Sequence, residues 1–197
     1  GFYDRNIGKH GQNGQLGSIC TTITKRSILV ENDIYFPEGI AYEDNYYGGL
    51  LQYYIASLYI VDRIIYHYFD NPTSTVRKTG ALHHYDKVTA EILLLKELEK
   101  RGIFRHFRMK LLKEYTQRAY CNMLAQCIQR KLDFHAVYPK IIQGYEEYFP
   151  DYLKMLKRMD FSFFQPLVEL LYWPYFPTQS EMNVIEDAFW SNVSENT

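Results

Sequence analysis

Apolar residues follow two different rhythms along this chain, and the change falls near Gly80. Beyond it they recur at helical spacing. In "HHYDKVTAEILLLKELEKRG", Val88, Ile92, Leu95 and Leu98 share one face, and Gly102 supplies a C-terminal stop. Phe107, Leu111, Tyr115, Ala119, Met123 and Cys127 form one stripe, which predicts a long helix over 104–131. Further helices are expected over 134–148 and, after Pro150, through Lys157. "FFQPLVELLYWPYFP" predicts a short helix and a packed turn, and Thr178-Gln179-Ser180-Glu181 reads as a capping box that launches a last helix.

Before Gly80 the pattern is strand-like and broken by glycine. "SICTTIT" (18–24) and "LYIVDRIIYHYF" (58–69) are rich in β-branched and aromatic residues, as strands are. "GKHGQNGQLG" reads as a polar loop, "KRSILVEND" as a short helix, and "YEDNYYGGLLQYYIA" (42–56) as a second one. Gly48 and Gly49 each weaken that helix by about 1 kcal/mol relative to alanine. Such a cost is accepted where another backbone or a ligand comes close. The expected fold class is therefore α+β, mainly α-helical, with residues 1–80 and 81–197 as its two parts.

Composition narrows the function. The 197 residues carry a net charge of -1 and are 47% hydrophobic, enough for one domain with a buried core and without the basic surplus of a nucleic-acid binder. The 19 tyrosines suit sugar stacking, but filling a helical core is their plainer use. Cys20, Cys121 and Cys127 are too scattered for a disulfide framework or a zinc site, so free thiols in a reducing cytoplasm are expected. No apolar run reaches the ~18 residues of a membrane span, and no signal peptide is apparent, which makes the sequon at Asn192 incidental. The chain opens Gly1-Phe2-Tyr3 rather than with Met, which reads as a piece cut from a longer protein.

The stretch "FPEGIAYEDNYYGGLLQ" holds the candidate chemistry. Acids in the first turn of a helix are favoured by its dipole, by about 0.3–1 kcal/mol, and this alone accounts for most such pairs. Glu43 and Asp44 also follow a loop, precede two glycines and stand next to a strand candidate. A carboxylate so placed can accept a proton from a substrate hydroxyl as its oxygen attacks.

The run "ITKRSILVENDIYFPEGIAYEDNYYGGLLQYYIASLYIVDRIIYHYFDNPTSTVRK" resembles the C-terminal half of the catalytic domain of family-2 glycosyltransferases. The shared pattern is a "KR-x-x-L" segment, "F-P-E-G-x-x-Y-E-D", a helix, a strand ending "Y-x-Y", and an "N-P-x-S" turn. The resemblance covers roughly residues 1–80. It implies a few strands from the acceptor-side half of a GT-A fold, followed by an α-helical bundle extension. It implies a nucleotide-sugar donor, a glycan or lipid-linked acceptor, and a divalent metal, Mg or Mn, in the full-length enzyme. Asp44 is then the general base of an inverting displacement, and Glu43 orients the site or contacts the acceptor. The loop from Phe36 to Tyr42, with Glu38 and Tyr42, lines the acceptor pocket. His67 takes a strand position where some relatives place a metal-binding histidine, although a strand histidine is more often simply hydrogen-bonded. Arg77 would hold the leaving diphosphate, against the plainer reading of a surface ion pair.

The sequence departs from that family in one respect. The D-x-D motif that carries the metal does not occur, and Glu31-Asn32-Asp33, its nearest approximation, lies in the wrong place in the motif order. The expectation is thus an acceptor-side fragment, inactive and metal-free alone, cytoplasmic or at the inner face of the membrane. Its truncated surface would favour a homo-oligomer. A basic stretch from Lys96 to Lys113 makes peripheral membrane contact an option for the helical part. His83-His84 is set aside, because adjacent helical residues point apart. The competing readings are a non-catalytic helical interaction module and a degenerate transferase subunit.

Overall fold

The computed structural model describes residues 2–4, 19–59, 79–161, 164–178, 180–182, 184 and 185, with single positions 64, 66, 67, 69, 71, 74 and 77. The chain is mainly helical. Its short strands β1 (Phe2–Asp4) and β2 (Ser57–Tyr59) pair antiparallel, with Tyr3 opposite Leu58. Helix α1 covers Arg26–Glu31 and α2 covers Glu43–Leu51. There follow α3 (Asp86–Lys100), α4 (Phe104–Tyr115), a π-helical stretch (Thr116–Cys121) and α5 (Asn122–Arg130). The chain continues through α6 (Tyr138–Tyr148), α7 (Tyr152–Leu156) and α8 (Gln165–Glu169).

α3 is the central element. Its buried face is Val88, Ala90, Leu94, Leu95 and Leu98, wider than the expected stripe because it also takes in Glu91. The helix ends in a Schellman motif: Gly102 adopts φ 72°, its N–H reaches Glu99 O at 2.9 Å, and the Ile103 N–H reaches Leu98 O at 2.9 Å. α2 lies against one side of α3. Gly49 makes this approach possible, since a Cβ there would collide with the Leu94 side chain, whereas a Cβ on Gly48 would meet open space. α3 also packs against α4 and the π-helical stretch.

Several tyrosines are core rather than surface. Tyr115, Tyr120 and Tyr145 are fully buried, and each phenol finds an acceptor: Ile141 O at 3.0 Å, Leu167 O at 3.1 Å and Thr116 Oγ1 at 2.9 Å. The hydroxyl is what lets so large a ring be buried without an unmet donor. Cys121 and Cys127 are buried free thiols, and burial pushes both upward, Cys127 to about 12. They are inert packing, as free buried cysteines usually are.

Three expectations change. "SICTTIT" contributes a 3-10 turn at Ile19–Thr21, not a strand. Of the strand expected over 58–69, the described part is β2 at Ser57–Tyr59; positions 64, 66, 67 and 69 are irregular, and positions 60–63, 65 and 68 lie outside the described residues. Ile64 is 83% exposed and Phe69 85%, so at these two positions the apolar side chains are not buried, and a two-stranded pairing such as β1–β2 is marginal by itself. The long helix over 104–131 is interrupted: Phe107 has φ -119° and ψ 15°, and its ring, 39% exposed, leaves the stripe to meet Tyr53 edge-on at 5.1 Å. The closing capping box forms as read, with Thr178 N donating to Glu181 Oε2 at 2.8 Å.

One polar network sits inside this core. Arg118, in the π-helical stretch, reaches Glu114 Oε2 at 3.0 Å and faces Glu91 Oε1 across 3.2 Å, the latter without hydrogen-bond alignment. Lys110 Nζ bridges Glu114, at 3.5 Å, to Gln52 Oε1, at 3.1 Å, and Gln52 donates on to Gly49 O at 2.9 Å. Burial, with Glu114 adding to it, pushes the Glu91 carboxyl up to about 7 despite the Arg118 guanidinium. The network joins the C-terminal end of α2 to the helices behind it.

Candidate active site

The loop that leads into α2 is held at both ends by α3. At its start, Ile34 is buried, and Arg101 from the end of α3 donates to Asn32 O, Asp33 O and the Tyr54 hydroxyl at 2.5, 3.0 and 3.0 Å. The Phe36 ring stacks on Tyr47 at 4.2 Å, which fixes the turn before Gly39. At its end, the Ala41 N–H donates to Asp86 Oδ2 at 3.0 Å, in the first turn of α3.

Tyr42 then takes the left-handed conformation, φ 61° and ψ 32°, immediately ahead of α2. For a residue with a large side chain this costs of order 1–3 kcal/mol and persists only where its surroundings over-determine it. Here they do. The Tyr42 hydroxyl lies 2.5 Å from Nδ1 of the fully buried His84. The Lys87 ammonium sits over the Tyr42 ring, 4.5 Å from its centroid, and the His83 ring stacks at 6.4 Å. Burial raises the Tyr42 phenol, Asp44 and Asp86 add to the effect, and Arg130 opposes it. The phenol therefore stays neutral at pH 7 and shares a hydrogen bond with His84 Nδ1.

The turn into α2 leaves Glu43 half-buried and Asp44 exposed, both in the first helical turn. Lys87 and Arg130 are the neighbouring cations. Burial holds Lys87 down to about 8, Arg130 pushes the same way, and Asp44 opposes.

The other candidates lie apart. Glu38 is exposed in the bend before Gly39. His67 is exposed on irregular backbone rather than on a strand. Arg77 is exposed just beyond the Asn71–Ser74 turn, which closes as expected with Ser74 N donating to Asn71 O at 3.0 Å. Among the described residues no three His, Cys, Asp or Glu side chains converge as metal ligands. The described residues therefore offer no three-carboxylate or histidine ligand set for a divalent ion. An open groove of about 600 Å³ borders the loop, lined by Pro37, Tyr46, Leu93, Lys96, Glu97, Glu99 and Lys100; neither Glu43 nor Asp44 lines it.

Sequence reasoning missed His84, Lys87 and Arg130. For His84 the argument that neighbours diverge was sound but drawn too far: His84 turns inward while His83 stays half-buried. Lys87 did carry a signal. A cation in the first turn of a helix opposes the dipole and calls for another reason to be there.

No family model, no curated protein and no solved structure matches this chain.

Proposed function

We propose that this chain carries the acceptor side of an inverting glycosyltransferase that moves a sugar from a nucleotide-sugar to a hydroxyl of a glycan or lipid-linked acceptor. The observation that supports this most is the presentation of Asp44. It is an exposed carboxylate at a helix N-terminus, following a strained Tyr42 that three residues of the next segment, His83, His84 and Lys87, contact. Strain of this kind, kept in place by surrounding contacts, is what positioned catalytic groups commonly carry.

In the proposed step, the acceptor oxygen attacks the anomeric carbon from the face opposite the nucleotide. The new C–O bond forms as the bond to the diphosphate breaks, the diphosphate leaves with the electron pair, and Asp44 takes the hydroxyl proton. Glu43, half-buried beside it, orients the acceptor. Tyr42 fixes the angle at which α2 leaves the loop. The sequence elements that resemble family-2 glycosyltransferases occupy residues 1–80, and the helical remainder serves as the scaffold on which that loop is fastened, through Asp86 and Arg101. Donor binding and its metal belong, in this reading, to a D-x-D-bearing half that these 197 residues do not contain.

The test is sugar transfer from a panel of nucleotide-sugars by the full product of the gene, in Mn²⁺ or Mg²⁺, with wild type compared with Asp44→Asn. Removing a general base lowers the rate by about 10²–10⁴-fold. Undiminished transfer by the variant eliminates Asp44 as base.

A further inference from the structure

Four ionisable side chains meet inside the fold, and their hydrogen bonding is incomplete. Glu91 on α3 and Glu114 on α4 are buried, with side chains 4% and 6% exposed, and Arg118 reaches both. Arg118 Nη2 donates to Glu114 Oε2 at 3.0 Å. Its Nε faces Glu91 Oε1 across 3.2 Å without the alignment to donate. Both of those atoms, and Glu114 Oε1, are buried without a hydrogen bond among the described residues. Lys110 is divided in the same way: its Nζ lies 3.5 Å from Glu114 Oε1 and donates to Gln52 Oε1 at 3.1 Å. Gln52 is the C-cap of α2, and its Nε2 donates to Gly49 O at 2.9 Å.

The proton on Glu91 decides the charge of this cluster. With it, the cluster holds two cations and one anion; without it, two of each. Burial favours the first state and charge balance the second. The outcome lies near neutrality: burial raises the Glu91 carboxyl to about 7, Arg118 opposes and Glu114 adds. The other titratable groups around it stay in one state there. Burial raises the phenols of Tyr115 on α4 and of Tyr53 just beyond α2, and Glu91 adds to both. On the buried face of α2 the titratable residue is Tyr47, also raised by burial. From α6, Tyr145 donates to Thr116 Oγ1 at 2.9 Å. Lys87, one turn earlier on α3, lies over the Tyr42 ring at 4.5 Å, and His84 bonds the Tyr42 hydroxyl.

We propose that Glu91 and Arg118 form a proton-operated latch on the C-terminal end of α2. When Glu91 gives its proton to solvent, Arg118 aligns with the new carboxylate and releases Glu114. Glu114 then draws in Lys110, and Gln52 loses the ammonium that fixes its side chain against Gly49 O. The π-helical stretch is where the turn occurs, since Arg118 sits within it and such stretches often mark functional places in helices. α2 begins with Glu43 and Asp44, so the latch sets how firmly the helix behind that pair is fastened. It operates whether or not the pair is catalytic.

The experiment is an NMR titration of this chain from pH 5 to pH 8.5. It follows the Glu91 carboxyl carbon, the Gln52 side-chain amide and hydrogen exchange at the Gln52 and Tyr53 N–H groups, which close the end of α2 on Gly48 O and Leu50 O. One midpoint is expected for the carboxyl and the Gln52 amide. Exchange protection, corrected for its intrinsic pH dependence, is expected to fall about 10-fold across it. Glu91→Gln is expected to hold both Gln52 readouts at their pH 5 values. Lys110→Met, at a partly exposed position, is expected to leave the Glu91 titration in place and to abolish the Gln52 response. If Glu91→Gln loses its folded spectrum, Lys110→Met decides. A wild-type chain in which Glu91 does not titrate in this range, or titrates without a response at Gln52, overturns the latch. So does a Gln52 response that survives unchanged in either variant.

Discussion

The Tyr42 hydroxyl meets Nδ1 of His84 at 2.5 Å, across 42 residues of sequence. This contact ties the residue that precedes the Glu43-Asp44 pair to the 3-10 turn that starts the helical part of the chain. It makes the geometry of the candidate base depend on residues far outside the motif.

Tyr42→Phe keeps the ring under Lys87 but removes the hydroxyl. His84 is fully buried, so its Nδ1 loses this partner where water does not replace it. The expected loss is about 1–3 kcal/mol of stability, read as a lower midpoint in urea unfolding. An unchanged midpoint would mean that the contact adds nothing net.

Gly49→Ala tests the α2–α3 approach. The added methyl collides with Leu94, itself 1% exposed, so the core side chain has no open space to enter. A destabilisation of about 1–3 kcal/mol is expected from overpacking. Gly48→Ala, where a Cβ meets nothing, is expected to stabilise or to be neutral by the same measurement.

Glu91 sets a pH dependence with a definite sign. Its carboxyl is raised from an ordinary 4.5 to about 7 in the folded chain, so the native state holds the proton more tightly than the unfolded one. Its contribution is fully present below about pH 4.5 and is lost as pH rises through about 7. Glu91→Gln abolishes that contribution. The stability of wild type relative to the variant falls between those pH values, by roughly 3 kcal/mol at most. Urea unfolding of both chains at pH 5 and pH 8 measures it, and a pH-independent difference would refute it.

The helical elements were largely legible because each is local. Val88, Leu95 and Leu98 repeat at helical spacing, Gly102 ends the helix, and Thr178 with Glu181 caps the last one. Strand character was not legible, since a period of two says nothing about whether a partner strand exists to receive it; Ile64 and Phe69 fit the pattern and are exposed. Glu91 was hidden for another reason: a charged residue on an apolar face is normally solvent-facing, and only Arg118, 27 residues away in sequence, offsets its burial. At the candidate site, Glu43 and Asp44 were readable as a helix start. His84, Lys87 and Arg130 join them only through folding over separations of more than 40 residues.

The central claim is that Asp44 accepts the acceptor proton, and the rate of sugar transfer by the gene's full product tests it most directly. With fold and acceptor binding intact, Asp44→Asn is expected to lose about 10²-fold or more in turnover. Turnover equal to wild type in that variant would contradict it.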